Sequence, residues 1–181
     1  MLLENESIRL RAIEPEDLDK LYAWENNTLI WDVGNTRNPY SMFTLKQYIL
    51  NSGQDIYENK QLRLMMVSKK TGETVGTVDL FDFDIHNGRI ALGLFVDSLH
   101  QGLGYAKESL RLVEEYVFEY LKINQLYVHI SETNTASIHL FVQKNYEKNC
   151  LLKNWIKVTD GYENIILFQK FRANYLQEKA K

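Results

Sequence analysis

The sequence predicts a single α/β domain of the α+β kind, a mostly antiparallel twisted central sheet flanked by helices, and three observations carry that prediction. Three β-like segments, 61–68, 74–83 and 88–97, follow one another across two short turn signals, Lys69-Lys70-Thr71-Gly72 and His86-Asn87-Gly88, the pattern of an antiparallel meander. Directly afterwards Ala106, Leu110, Val113, Val117 and Leu121 recur at the spacing of a strongly amphipathic helix. Finally, 181 residues with two prolines, nine glycines, no repeat and no low-complexity stretch contain nothing that reads as a linker. A chain of this length hides roughly two-thirds of its unfolded surface, enough for a core without metal or disulfide staples.

Taken in order, Ile8, Leu10 and Ala12 alternate with Arg9 and Arg11 as a half-buried strand. Glu14-Pro15-Glu16-Asp17 then opens a helix whose inner face is expected to carry Leu18, Leu21 and Tyr22. From Asn26 to Tyr40 the chain is turn-rich, and Thr44 is expected to cap a second helix bearing Leu45, Tyr48 and Ile49. The meander comes next, followed by the long helix from Gly104 to Leu121. A strand at 125–130, a helix capped by Asn134 and ending near Lys144, and strands around 146–153 and 162–171 complete the order β-α-α-β-β-β-α-β-α-β-β. The domain is expected to span 1–173, with 174–181 as a charged tail.

Charge and cysteine content exclude several function classes. Twenty-one Lys+Arg against 24 Asp+Glu give a formal charge of −3, without the basic excess that phosphate-neutralising nucleic-acid binders use. Cys150 is the single cysteine, so neither an intramolecular disulfide nor a cysteine-based zinc site is expected, and no metal is called for. The N-terminus lacks the basic and apolar regions of a secretory signal and no apolar run approaches a membrane span, so a cytoplasmic location without a membrane partner is expected. The acids are unevenly spread: residues 1–60 carry ten acids and six bases.

The stretch Leu92 to Ala106 joins a strand to the long helix through a loop containing Gly102 and Gly104. Glycines allow close backbone approach to a ligand, and the free amides of a first helical turn attract phosphate. The same letters also suit an ordinary strand-to-helix turn. No G-x-x-x-x-G-K-[ST] is present, and Gly102-Leu103-Gly104-Tyr105-Ala106-Lys107 lacks the third glycine of G-x-G-x-x-G. The preceding meander also argues against a dinucleotide-binding βαβ unit.

Gln101-Gly102-Leu103-Gly104-Tyr105-Ala106 resembles the Q/R-x-x-G-x-G/A acetyl-CoA signature of the GNAT superfamily of N-acetyltransferases, and the element order is similar to that fold over nearly the whole chain. Asn134-Thr135-Ala136-Ser137-Ile138-His139-Leu140-Phe141, closing in Lys144-Asn145-Tyr146, resembles the family's N-x-x-[SA]-x-x-L-[YF] helix. Within the superfamily, Ile8-Arg9-Leu10-Arg11 and the last hairpin with Gly161 at its turn look most like bacterial spermidine and ribosomal-protein N-acetyltransferases. The resemblance implies an acyl-CoA N-acyltransferase fold that moves acetyl from acetyl-CoA directly to a primary amine, on a small molecule such as a polyamine or on a peptide N-terminus. It implies that Gly102, Leu103, Gly104, Tyr105 and Ala106, with Gln101, hold the pyrophosphate. The strand around Leu94, Phe95 and Val96 would hold the pantetheine arm, aided by a bulge near Gly93 to Leu94. Asn134 and Ser137 would contact the same arm, although Asn134 also suits a plain helix cap.

The usual acid and base of this family are missing. The fourth-strand Glu corresponds to Ala91, and the Tyr of the Asn134 helix corresponds to Phe141. An acceptor ammonium has a solution pKa of about 10 if it is lysine-like, so some group must take its proton. Asp82 and His129 are the candidates for a water-linked base, with Asp79 and Asp84 beside them; the same aspartates suit a solvated turn, and His129 suits an inert polar face. For the acceptor, Glu25, Trp31 and Asp32, with Trp24, are expected to form an acidic, aromatic mouth for a cation, or else to be packing and surface residues. The rival reading is a non-catalytic acyl-CoA-binding module of the same fold. A homodimer is expected, because exposed strand edges pair.

Overall fold

Alternation of apolar and charged residues makes the first strand: β1 (Ile8–Ala12) buries Ile8 and Leu10 and leaves Arg9 exposed. The computed structural model describes residues 2–28, 31, 38–53 and 55–180. A 3-10 turn at Pro15–Asp17 leads into α1 (Leu18–Glu25), which buries Leu21 and Trp24. Tyr22, expected on that inner face, is exposed, because the buried stripe runs from Leu21 to Trp24 at i, i+3. Helix α2 (Met42–Asn51) is capped by Ser41, whose hydroxyl accepts from the Thr44 amide at 3.0 Å. Thr44 therefore stands inside the first turn rather than at the cap. A short helix, α3 (Ile56–Asn59), precedes the meander of β2 (Leu62–Ser68), β3 (Thr74–Asp84) and β4 (Arg89–Val96), antiparallel as predicted.

The amphipathic run forms α4 (Tyr105–Glu115), then widens into a π turn over Tyr116–Tyr120, where the Leu121 amide reaches back to the Tyr116 carbonyl at 2.9 Å. Strand β5 (Gln125–Ser131), α5 (Thr135–Gln143), β6 (Glu147–Val158) and β7 (Gly161–Phe171) follow. Most of the segment expected as a charged tail belongs to a further helix, α6 (Arg172–Lys179). It is fastened by Arg172 Nε donating to the Phe118 carbonyl at 2.6 Å and Tyr175 Oη donating to Glu119 at 2.5 Å.

The seven strands form one sheet in the order β1-β2-β3-β4-β5-β7-β6, with β4 and β5 as its parallel pair. One face carries Leu64, Met66, Val78, Leu80, Ile90, Leu92, Leu126, Val128 and Phe168 and packs on Leu110 and Val113 of α4 and Val117 of the π turn. The other face carries Met65, which packs with Leu21 and Trp24 of α1 and Ile49 of α2. Among the described residues no helix is long and apolar enough to cross a membrane.

Candidate active site

The β4–β5 pairing is short. Arg89, Ile90 and Ala91 face Gln125, Leu126 and Tyr127, and the ladder stops there. Beyond it β4 stays with β3 as far as Val96 and β5 stays with β7 as far as Ser131. The facing edges of Leu92–Val96 and Val128–Ser131 thus splay into an opening whose main-chain groups have no ladder partner across it among the described residues. Such an edge accepts an extended chain as if it were another strand. The expected bulge at Gly93 to Leu94 is absent: Asp79↔Gly93 and Val78↔Leu94 are in unbroken register. The register slips instead between Phe81 and Asp84, where Asp82 adopts φ 49° and is turned outward. Side chains of the strand are already engaged, Leu94 and Val96 on the core beneath α4 and Phe95 edge-on to Trp24 at 5.1 Å.

The loop ahead of α4 closes one end of this opening. Gly102 (φ 76°) and Gly104 (φ 85°) both lie in the left-handed region, Gly104 is the helix N-cap, and a side chain on either would enter open space. The first helical hydrogen bond is Glu108 N to Gly104 O at 3.1 Å, so the amides of Tyr105, Ala106 and Lys107 are free of intrahelical acceptors. Gln101 Nε2 donates to the Val96 carbonyl at 3.1 Å and ties the loop to the strand end, while Tyr105 Oη is 3.1 Å from Ser68 Oγ and leaves only its amide for a ligand. Leu103 is exposed and Ala106 half-buried. Across the opening, Asn134 Oδ1 accepts from the Ser137 amide at 3.1 Å, so the capping role is realised at both residues.

Register also assembles the second face of the site. Directly opposed residues share a face, which aligns Phe81, Ala91 and Tyr127 in one row and Arg63, Asp79 and Gly93 in the next, with His129 one side-chain step beyond Tyr127 on β5. Gly93 leaves a recess there: a side chain built on it would make only ordinary contact, 3.5 Å to Asp79 Cβ and 3.6 Å to Phe81 Cε1. His129 stands edge-on to Tyr127 at 5.6 Å. Burial holds its imidazole below the usual 6.5, against the charge of Asp82, and burial together with Asp82 raises the Tyr127 phenol. Asp84 belongs to a turn, bonded by the Asn87 amide at 3.0 Å and by Arg89 at 3.0 Å, which accounts for it structurally.

Glu25 and Asp79 are not free carboxylates. Arg63 Nη1 donates to Glu25 Oε1 at 2.6 Å, Arg63 Nε donates to Asp79 Oδ1 at 2.5 Å, and the guanidinium lies 5.4 Å from the Tyr48 ring centroid. Trp24 is a core residue whose Nε1 donates to Asp97 at 3.0 Å, and Trp31 Nε1 donates to the Glu25 carbonyl at 2.9 Å. Asp32 lies outside the described residues. Burial pushes the Asp97 carboxyl up, but the bonds from Trp24 and Leu99 outweigh it and hold the group below its usual value. Sequence reasoning missed Arg63, although a charge inside the apolar run Leu62-Arg63-Leu64-Met65-Met66 was its signal. Among the described residues no group of three His, Cys, Asp or Glu is placed to hold a metal ion.

Residues 7–143 match the acetyltransferase (GNAT) domain family. An uncharacterized N-acetyltransferase p20 of Bacillus licheniformis is 25% identical over 96% of this chain and 97% of its own. Spermidine N(1)-acetyltransferase of Escherichia coli (strain K12) is 25% identical over 95% of this chain and 90% of its own. The crystal structure of spermidine N-acetyltransferase from Vibrio cholerae in complex with CoA and spermine superimposes with a TM-score of 0.85 at 21% identity, covering 95% of this chain and 99% of that one.

Proposed function

The chain belongs to the GNAT family of acetyltransferases, and on that premise we propose that it transfers acetyl from acetyl-CoA directly to a primary amine, of a polyamine or of a peptide N-terminus. The observation that carries this reading is the convergence of two backbone features, the open amides at the start of α4 and the unpaired edge of β4, at one opening. Free amides at a helix N-terminus suit a pyrophosphate, and an unpaired strand edge suits the amide-bearing pantetheine arm. A β4 amide aimed into the opening would stabilise the oxyanion formed as the amine adds to the thioester carbonyl.

The amine would approach over the recess at Gly93, between Asp79 and His129. An imidazole held neutral at pH 7 is ready to accept the ammonium proton, directly or through water, and Asp82 would favour the imidazolium that results. Phe141, buried against Tyr146, has no proton to give the departing thiolate, which would leave as the anion. The expected homodimer is kept in this reading. Its support is β6, an edge strand of the sheet, which exposes Leu151 and Trp155.

The test is free-thiol release from acetyl-CoA with a panel of polyamines, simple monoamines and short peptides, with mass spectrometry of the amine product. Amine-dependent thiol release and a 42 Da product gain, the mass of an acetyl group replacing hydrogen (about 43 minus about 1) in N-acylation, are expected. Tight CoA binding by calorimetry without amine-dependent release would instead make the chain a binding module.

A further inference from the structure

The Arg63 guanidinium sits where an ammonium group of a bound polycation would be most stable. Two carboxylates grip it, Glu25 at 2.6 Å and Asp79 at 2.5 Å, and the face of Tyr48 lies 5.4 Å away. All three ionic side chains are only 21–27% exposed, so the contacts are shielded from bulk water. The three anchors come from different elements, Glu25 from the end of α1, Tyr48 from α2 and Asp79 from β3, and they converge on one point. That point lies on the face where the amine would approach: Arg63 pairs with Asp79, and Asp79 with Gly93. Two strand spacings of about 4.8 Å separate Arg63 from Gly93, a span similar to that of an extended polyamine. Arg63 also lines a cavity of about 80 Å³, together with Tyr48, Asn51, Ser52, Asn59 and Gln61.

We propose that Arg63 is a specificity-determining residue that occupies the place of the acceptor's second ammonium group, so that the enzyme selects amines carrying one positive charge near the reacting nitrogen over polyamines. The inference rests on the acceptor face assigned above and deepens it: of the two acceptor classes, it selects the peptide-like, singly charged amine. A polyamine entering this face finds the place of its distal ammonium filled by a fixed cation, with both carboxylates that would otherwise hold that ammonium already engaged. Among the described residues Asp82 is the acceptor-side carboxylate outside the Arg63 cluster.

The experiment compares kcat/KM for spermidine and for n-butylamine in the wild type, Arg63→Ala and Arg63→Lys, and measures spermidine binding by calorimetry in the presence of CoA. A ratio taken within one variant does not depend on how much of that variant folds. In Arg63→Ala the spermidine-to-butylamine ratio is expected to rise at least tenfold and spermidine to bind at least tenfold tighter, while Arg63→Lys, which keeps the cation, stays within threefold of wild type. A ratio and affinity within twofold of wild type in Arg63→Ala overturn the proposal, as does a wild type that binds spermidine more tightly than Arg63→Ala. A gain in spermidine binding without turnover of either amine by any variant supports the role of Arg63 and sinks the transferase reading.

Discussion

Replacing Gly104 by alanine separates the cofactor role of the α4 loop from its role as an ordinary turn. The glycine holds φ 85°, and a methyl group there meets no atom within 4 Å, so the cost to the fold is backbone strain alone. A left-handed alanine costs about 1–2 kcal/mol, which for a chain of this size lowers Tm by about 2–8 °C. The methyl would project into the space from which an anion approaches the Tyr105, Ala106 and Lys107 amides. Losing one hydrogen bond to a charged group is worth about 1.5–3 kcal/mol, or roughly a 10- to 100-fold weaker Kd. Calorimetry with CoA and with dephospho-CoA measures the loss, and Gly161→Ala, in the β6–β7 turn, is the control for strain without proximity to the loop. A Gly104→Ala protein that is folded at the assay temperature and binds CoA within twofold of wild type would refute the assignment of this helix end to the pyrophosphate.

Three further outcomes are expected. His129 is held below 6.5 by burial, so it is neutral at pH 7 and charges only as pH falls through its depressed value; the acid limb of the kcat/KM profile should lie below pH 6.5 and vanish in His129→Gln. Asp17 is pushed up by burial but held below 3.8 overall by the two Arg11 bonds, so its stabilisation is present above that value and lost as pH falls through the lower folded one. In urea titrations Asp17→Asn should cost about 3 kcal/mol at pH 7 and progressively less below pH 3.8, and a pH-independent cost would rule out the ion pair as the cause. Gly76→Ala would drive a methyl into the Phe95 carbonyl at the β3–β4 pairing, and a loss of about 1–3 kcal/mol is expected by thermal melts, with no loss meaning that β4 yields there freely.

Periodicity and turn chemistry made most of the sheet legible. The meander, the α4 repeat and the last hairpin with Gly161 in its turn all follow from local patterns that burial then reinforced. What escaped the sequence depended on partners distant in the chain. Helix α6 reads as a charged tail because its polar residues find partners such as Phe118 and Glu119, more than fifty positions earlier. The bulge was expected at Gly93 because glycine tolerates one, yet a shift of register is decided by both strands, and it fell where Phe83 turns into the core and Asp82 out of it. At the site, single-residue chemistry pointed to Glu25 and Asp79 as free acids. Only the fold places Arg63 between them.

Ala91 and Phe141, which the family resemblance sets where a base and an acid are usual, both have a packing role in the structure. Ala91 is 1% exposed, between Phe81 and Tyr127, and Phe141 is 3% exposed against the Tyr146 ring, so both positions have become packing sites. The polar groups of the face stand one side-chain step further along, where Asp79 flanks Gly93 and His129 lies across the opening. A glycine at that step leaves room for an amine or a water beside both groups, which an alanine at Ala91 enclosed by two rings does not. On the function proposed above, proton removal would fall to His129, one step along the sheet, and the remaining acceleration would come from holding amine and thioester in register. That division makes a prediction of kind as well as size: losing His129 should reshape the pH profile, whereas disturbing the β4 edge or the α4 amides should weaken cofactor binding and leave the shape of the profile unchanged.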